Sequence, residues 1–246
     1  LYLGYGLSEP LRRTPVPAPP EPCPLPLLAC RIRPAPERRL AARDYKLGVW
    51  QRTWDDEEYA AAVDGVRAAI ERGDVYQVNI THRFPAATAA RTPSEPHTPL
   101  MAINTAPFAG YLKLGQTAIL SASPERFLRV QGRKVETWPI KGTVGRGATA
   151  GEDQARRRWL LASAKNRAEL AMIVDLMRND LGRVCRPGSI HVQGFPRLES
   201  FASVHHLVAT VTGELDDGRS VVELMRASFP GGSITGAPKI RAMEII

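Results

Sequence analysis

The chain has few of the residues that build disulfide or metal scaffolds. Only three cysteines and five histidines occur among its 246 residues. Cys23, Cys30 and Cys185 lack the short spacings of metal ligands and cannot all pair with one another. They indicate a reducing compartment rather than a secreted, disulfide-stabilised domain. No run approaches the roughly 18 apolar residues of a membrane helix, and no signal peptide is visible, so we expect a cytoplasmic protein with no membrane partner.

Acidic residues are outnumbered, with 25 Asp and Glu against 33 Lys and Arg and a net charge of +8. Such a balance allows nucleic acid, an anionic membrane or small anions as partners. The arginines are scattered, and their one triple, at 156–158, falls in a helical pattern and is expected on a solvated face. No nucleic-acid module accompanies the charge. We therefore expect no nucleic-acid partner, although a basic nucleic-acid binder stays as an alternative.

Proline is concentrated near the start of the chain, where residues 10–36 contain ten. This composition favours an extended linker or an exposed loop. We interpret 1–50 as the remnant of an N-terminal region with this Pro-rich linker, and 51–246 as one catalytic domain. The pattern over 240–246 is helical and has no stop signal, so the domain is expected to continue past it.

Hydrophobic periodicity predicts an α+β fold, because pairs of strands dominate over strand-helix-strand units. The pattern also predicts that 93–99 and 229–233 are loops. The predicted elements, in chain order, are a helix from Trp54 to Gly73, a strand over 75–84, strand pairs 108–114 with 117–121 and 127–130 with 134–137, a helix over 153–177, strands 190–192 and 204–215, and a helix over 220–227.

The first candidate functional residue is Lys141, within the run Trp-Pro-Ile-Lys-Gly-Thr at 138–143. Proline fixes its own φ angle and glycine allows unusual ones, so this lysine is held by conformationally special neighbours. A lysine amine positioned in this way can act as a nucleophile. The alternative is an ordinary surface lysine at the end of a strand.

Two carboxylates are further candidates. Glu125 lies between two predicted strands, and by itself it could be only a turn glutamate. Glu169 shares a helix face with Asn166 and apolar neighbours three or four positions away. A carboxylate on such a face needs a partner. Lys165, at i−4, could supply an ion pair, and Mg²⁺, which prefers oxygen ligands, is the functional alternative.

Two more motifs complete the set of candidates. His205 and His206 are adjacent in a predicted strand, so their side chains point to opposite faces and cannot both line one site. Glycines in 230–239 precede a helix and could bring backbone N–H groups to an anion. This segment lacks the Gly-Lys-Ser/Thr ending of a P-loop, which excludes a nucleoside triphosphate site of that type.

From about Gly73 to Ile246, these motifs occur in the order found in the chorismate-utilising enzymes, and the chain resembles that family. The resemblance implies two large, mainly antiparallel sheets packed together and flanked by helices in an αββα sandwich, here truncated at both ends. The segments that carry it are 74–79, 123–127, 139–143, 168–180, 204–207 and 231–239.

Two positions distinguish members of the family. Gln77 stands where the water-using members carry a general-base lysine, and glutamine cannot deprotonate water. Lys141 stands where the anthranilate-forming members carry alanine. The combination implies a transferase that converts chorismate and ammonia to 4-amino-4-deoxychorismate, a precursor of para-aminobenzoate and folate. An anthranilate-forming enzyme and a non-catalytic fragment that only binds ligand are the alternatives.

The resemblance also implies a role for each candidate residue. Lys141 adds covalently to the substrate ring, Glu125 protonates the departing C4 hydroxyl, and His206 lies near that hydroxyl. Glu169 supplies part of a Mg²⁺ site, whose second glutamate is expected in a C-terminal segment beyond this sequence, so the chain alone is expected to be inactive. The residues expected to contact substrate are Gln77, Gly142, Thr143, Gly236 and Ala237.

The implied partners are small molecules and one protein. Chorismate is the substrate, and ammonia comes from a glutamine amidotransferase, as a separate subunit or a fused domain. Tryptophan is a further candidate ligand, near 76–79 and Pro107.

Overall fold

The structure is a computed structural model in which the chain divides into two compact units. Unit 1 comprises Leu1–Pro124 and Ile240–Ile246, and unit 2 comprises Glu125–Lys239. The Pro-rich stretch at 10–36 lies outside the described residues, except for Leu28–Ala29 (β2), which pairs antiparallel with Tyr2–Leu3 (β1). The described residues are 2–3, 28–29, 46–90, 92, 95–103 and 106–246.

After β1 and β2, the next regular element of unit 1 is helix α1, Asp56–Glu71. Asp55 caps it: its side chain accepts a hydrogen bond from the Glu58 N–H at 2.8 Å, and the Glu58 side chain accepts one from the Asp55 N–H at 2.9 Å. This reciprocal capping box satisfies two backbone donors that the first turn leaves free. Gly73, with φ of 78°, follows the helix. The predicted helix is confirmed.

The strand predicted over 75–84 is wrong for most of its length. Regular strand, β3, covers only Gln77–Val78. Residues 83–89 instead run antiparallel to 46–53 through separate backbone hydrogen bonds. Pro85 has no N–H to donate, which interrupts any continuous ladder. The segment is therefore extended, but its bonds are isolated ones.

The rest of unit 1 contains helix α2, His97–Ile103, and a hairpin of β4, Phe108–Leu114, and β5, Thr117–Ser123. The hairpin pairs antiparallel over its whole length and confirms the predicted strand pair. Helix α2 begins within the loop predicted at 93–99, so that prediction is wrong at its C-terminal end.

Unit 2 is built on a five-stranded sheet in which every pairing is antiparallel. Strand β10 is central, with β9 along one edge and β7 and β8 along the two halves of the other edge. Pro139 separates β7 from β8, and its carbonyl accepts a bond from the Ala209 N–H at 3.2 Å. The strands are β6 Arg126–Gln131, β7 Lys134–Trp138, β8 Ile140–Gly145, β9 His191–Ser200 and β10 Val204–Glu214.

The predicted helix over 153–177 is two helices, α3, Ala150–Ala162, and α4, Ala164–Gly182. Ser163 breaks it, with a ψ of 104° that no helix residue has, and its hydroxyl accepts from the Asn166 N–H as the N-cap of α4. The arginines at 156–158 are exposed, as expected.

The remaining elements are short. Helix α5 starts after the N-cap Ser220, close to its predicted start. The loop predicted at 229–233 ends in a four-residue helix, α6. Their bounds are α5 Val221–Ser228, α6 Gly232–Thr235, β11 Gly236–Ala237 and α7 Lys239–Ile245.

The core of unit 2 lies between the sheet and helices α3 and α4. Leu207 and Ala209 of β10 and Leu160 and Leu170 of the helices are completely buried in one cluster. Each such leucine contributes about 1.5–3 kcal/mol relative to an exposed position. The α+β class is confirmed. Of the two large sheets that the resemblance implied, the described residues form one, and the other strands among them form two-stranded pairs.

Candidate active site

A bulge at Gly142 sets the positions of Lys141 and Thr143. In the pairing with β10, Lys141 lies opposite Leu207 and Thr143 lies opposite His206, so Gly142 is an extra residue. Its φ is 82°, in the left-handed region that favours glycine. A Cβ on Gly142 would lie 3.0 Å from Asn166 and 3.1 Å from Leu160. The backbone angle therefore favours glycine here, and a Cβ would in addition require Asn166 and Leu160 to shift.

The bulge places Lys141 and His206 on different faces of the sheet. Residues that lie opposite each other in an antiparallel pair project to the same face. Leu207 packs into the helix-side core, so Lys141 belongs to that face. The Thr143 hydroxyl and His206 Nδ1, 2.8 Å apart, share the other face. The structure thus brings His206 to Thr143 and not to the face of Lys141.

Lys141 and Glu125 are brought into one electrostatic environment. Glu125 immediately precedes β6 and is half-buried. Burial raises the pKa of its carboxyl group, while the Ser233 hydroxyl, the charge of Lys141 and a hydrogen bond from the Ile140 backbone act in the opposite direction. A carboxyl group in this setting retains a proton at higher pH than an exposed glutamate does.

Ser233 was not predicted as a site residue. Its hydroxyl donates a hydrogen bond to Glu125 Oε1 at 2.7 Å, across 108 positions of sequence. It lies on α6, whose Gly232 leaves no room for a side chain, since a Cβ there would come within 2.4 Å of Leu176. The available signal was a hydroxyl residue within the glycine-rich segment at 230–239. The expected contact residues Gly236 and Ala237 follow α6 directly and are buried.

The two adjacent histidines point to opposite faces of the sheet, as predicted, and they have separate partners. His205 is completely buried, and its ring bonds to Ser200 at 2.8 Å and to Asp153 at 2.9 Å. Burial lowers the pKa of His206, although the Gly142 backbone and Glu199 act to raise it. His206 is therefore favoured in its neutral form, where one ring nitrogen donates and the other accepts.

Glu169 has the partner that the sequence offered as its structural alternative. Lys165 Nζ lies 3.9 Å from Glu169 Oε1, and the Glu169 side chain is 37% exposed. Magnesium needs several oxygen ligands, but no group of three or more histidine, cysteine, aspartate or glutamate side chains able to hold a metal occurs within the described residues. Glu169 is suited to provide one ligand, and the described residues alone do not fit a complete magnesium site.

Gln77 lies in unit 1, on the two-residue strand β3. Its side-chain Oε1 is buried and has no hydrogen-bond partner among the described residues. The neighbouring Tyr76 is 75% exposed. The expected substrate contact of Gln77, and tryptophan binding near 76–79 and Pro107, stay predictions.

A second lysine, Lys239, is buried, and the sequence motifs did not identify it as a candidate functional residue. Its Nζ donates to Asp180 Oδ2 at 2.6 Å and to the Ser228 carbonyl at 2.8 Å. The two charged side chains are 8% and 5% exposed. Burial raises the pKa of Asp180 to about 6, against the influence of Lys239. This pair joins the C-terminal part of α4 to the residue that begins α7.

The comparisons with known proteins agree with the family resemblance. A model of the family described as chorismate binding enzyme matches residues 27–246. Aminodeoxychorismate synthase component 1 of Klebsiella aerogenes is 46% identical over 80% of this chain and 44% of its own length. Anthranilate synthase component 1 of Mycolicibacterium smegmatis is 41% identical over 87% of the chain and 40% of its own length. The chain thus spans less than half the length of these relatives.

A solved structure has the same fold. The crystal structure of anthranilate synthase component I from Streptococcus pneumoniae aligns with a TM-score of 0.72 at 31% identity, over 87% of this chain and 47% of the other. No helix in the described ranges has the length and apolarity to cross a membrane.

Proposed function

This chain belongs to the chorismate binding enzyme family, and on that premise we propose that it carries the catalytic residues of an aminodeoxychorismate synthase component I. The reaction converts chorismate and ammonia to 4-amino-4-deoxychorismate and water. Relatives bearing that name are 41–47% identical to the chain over about four-fifths of its length.

One observation carries the proposal: a half-buried lysine acts electrostatically on a carboxyl group whose pKa is raised by burial. An amine and a neutral acid are the two groups that a covalent displacement of a hydroxyl needs. Lys141 forms no salt bridge within the part of the chain that the structure describes. Its amine is therefore not committed to a structural ion pair.

The proposed chemistry has two displacements. The Lys141 amine forms a bond to C2 of chorismate while the C4 hydroxyl breaks away, and Glu125 gives its proton to that hydroxyl so that water leaves. Ammonia then bonds to C4 while the bond from C2 to Lys141 breaks. The Glu125 carboxylate takes up the proton that the incoming ammonia loses. Lysine and acid both return to their starting states, so the overall exchange is hydroxyl for amino group.

The other candidate residues are proposed to bind the substrate or to hold the strands of the site in place. Gly142 fixes the bulge that puts Lys141 on its face of the sheet, and Gly236 and Ala237 are proposed to contact the substrate. His206 holds Thr143 through a hydrogen bond of 2.8 Å. We propose that His206 holds strand β8 in position, and its direct contact with the substrate stays a prediction. Gln77 is proposed to favour ammonia over water, because its amide cannot act as a general base.

Magnesium and a partner protein belong to the same proposal. When bound, Mg²⁺ would neutralise a substrate carboxylate, and Glu169 would be one of its ligands. The charged pair with Lys165 is long and exposed, so a cation can replace Lys165 at little cost. We propose that a glutamine amidotransferase, fused or separate, supplies the ammonia. The pathway would be that of para-aminobenzoate and folate.

Product identity tests the proposal. The full-length protein is incubated with chorismate, MgCl₂ and an ammonium salt, and products are identified by mass spectrometry. We expect 4-amino-4-deoxychorismate, and none when ammonium is omitted. Anthranilate would assign the chain to the other activity found among its relatives. Chorismate binding by calorimetry without any product would support a non-catalytic binding protein instead.

A further inference from the structure

We propose that Ser233 is a positioning residue that holds the Glu125 carboxyl group so that its proton is carried on Oε2, toward the departing hydroxyl. The inference rests on the proposed function, because only that reaction gives the Glu125 proton its role as the proton donated to the leaving hydroxyl. The contact itself is independent of it: the Ser233 hydroxyl donates to Glu125 Oε1 at 2.7 Å, and both residues are partly buried.

The hydroxyl is held in place by the packing of α6. A Cβ on Gly231 would lie 3.2 Å from the Phe127 ring, and one on Gly232 would lie 2.4 Å from Leu176. The Thr235 hydroxyl donates to the Gly231 carbonyl at 3.1 Å. Close packing on two sides restricts the backbone of α6. Ser233 therefore presents its donor with little freedom to lose when the bond forms.

The hydrogen bond decides which carboxyl oxygen carries the proton. Oε1 accepts from Ser233, so in the neutral acid the proton resides on Oε2. The same bond favours the ionised carboxyl group, which opposes the effect of burial. Lys141 also acts on Glu125 through its charge, and the Ile140 backbone bonds to it. Removing Ser233 would take away the largest of the effects that oppose burial.

The test compares Ser233→Ala with Ser233→Thr in the full-length protein, and it measures kcat and KM against pH. Hydrogen bonds to charged groups of this kind correspond to about 10- to 100-fold in rate, so we expect Ser233→Ala to lower kcat by that factor with KM nearly unchanged. Activity requires protonated Glu125 and falls as pH rises through its pKa. Loss of the donor raises that pKa, so the alkaline limb moves to higher pH. Ser233→Thr keeps the hydroxyl and restores both quantities.

Thr235→Val is the matched control. It removes a neighbouring hydroxyl of the same short helix, one that bonds to Gly231 and not to Glu125. A structural effect of disturbing α6 would lower activity without moving the alkaline limb. If Ser233→Ala does not fold, as judged by circular dichroism, Ser233→Cys keeps the side-chain size with a weak donor and gives the same comparison.

A second readout needs no turnover. The Glu125 pKa is measured by NMR in protein carrying ¹³C-labelled glutamate, with Glu125→Gln to identify the signal. A higher Glu125 pKa in Ser233→Ala than in wild type supports the contact, even if the wild type makes a different product and the proposed function fails. An unchanged Glu125 pKa, or a pH profile that Ser233→Ala leaves unmoved in an active enzyme, overturns the inference.

Discussion

Unit 2 contains two lysines that interact with carboxyl groups, Lys239 with the buried Asp180 and Lys141 with the half-buried Glu125, and the two clusters are built differently. Lys239 is 8% exposed and donates to Asp180 and to the Ser228 carbonyl. Lys141 is half-buried, lies beside a positive-φ glycine and acts on Glu125 through its charge.

The difference separates a structural lysine from a chemical one. The Lys239 side-chain nitrogen donates hydrogen bonds to a buried carboxylate and a carbonyl, so structural contacts occupy it and keep it from a substrate. Lys141 forms no salt bridge among the described residues, so its amine is not occupied in this way and is a candidate nucleophile. A lysine close to a carboxylate therefore does not by itself indicate an active site. The other hydrogen bonds of the lysine decide whether its role is structural or catalytic.

The largest expected effect is on activity, at the cluster formed by Lys141 and Glu125. Lys141→Ala should lower kcat/KM by more than about 10⁴-fold, because an essential nucleophile is lost, while the free energy of unfolding changes little. Lys134→Ala, at an exposed position of β7, is the control and should keep near-full activity. Both are measured in the full-length protein with chorismate and ammonium. Retention of a tenth of the activity by Lys141→Ala would remove the distinction between the two lysines.

Substitutions in the cluster formed by Lys239 and Asp180 should lower the free energy of unfolding. Lys239→Met leaves Asp180 buried without its partner, and breaking such a pair costs about 3–5 kcal/mol of the free energy of unfolding. Urea titration measures this cost, with Lys134→Met as the control for the same substitution at an exposed site. Combining Lys239→Met with Asp180→Asn removes both charges and should recover part of the loss. A Lys239→Met variant as stable as wild type would contradict the assignment.

The bulge beside Lys141 should be sensitive to both strain and crowding. Gly142→Ala forces a φ of 82° on alanine and pushes Cβ toward Asn166 and Leu160, so we expect a loss of about 2–3 kcal/mol in stability. Gly132 has a φ of 60° and open space around it. Gly132→Ala should therefore cost only about 1–2 kcal/mol. Equal losses would show that crowding at Gly142 contributes nothing.

The smallest effect concerns a third polar cluster, which supports the sheet. Arg146 and the Gly147 N–H hold the pKa of Asp153 well below its usual range. A depressed carboxyl pKa contributes stability that is present above about pH 4 and is lost as pH falls further. We expect Asp153→Asn to be less stable than wild type at pH 7 and to lose less stability between pH 6 and pH 3. Parallel pH curves of the unfolding free energy would refute this account.

Local signals determined most of the elements that the sequence predicted correctly. The acidic residues at 55–58 cap α1, and Gly132 makes the turn between β6 and β7 because its φ of 60° suits a tight hairpin. The misses came from elsewhere. The apolar periodicity continues across Ser163, so it predicts one helix where the structure has two, although serine is a favoured N-cap. Residues 75–84 alternate like a strand, but a strand also needs a partner edge, which the sequence pattern does not supply.

The sequence by itself determined the family, the α+β class and the identity of Lys141, Glu125 and Glu169 as candidates, because motif order and residue type are local properties of the chain. Only the tertiary structure decided that Ser233 bonds to Glu125 and that Lys239 is committed to Asp180, across 108 and 59 positions. It also decided that a bulge at Gly142 puts Lys141 and His206 on different faces. Contacts between distant segments depend on register and packing, and a one-residue shift in register reverses the face of every following side chain.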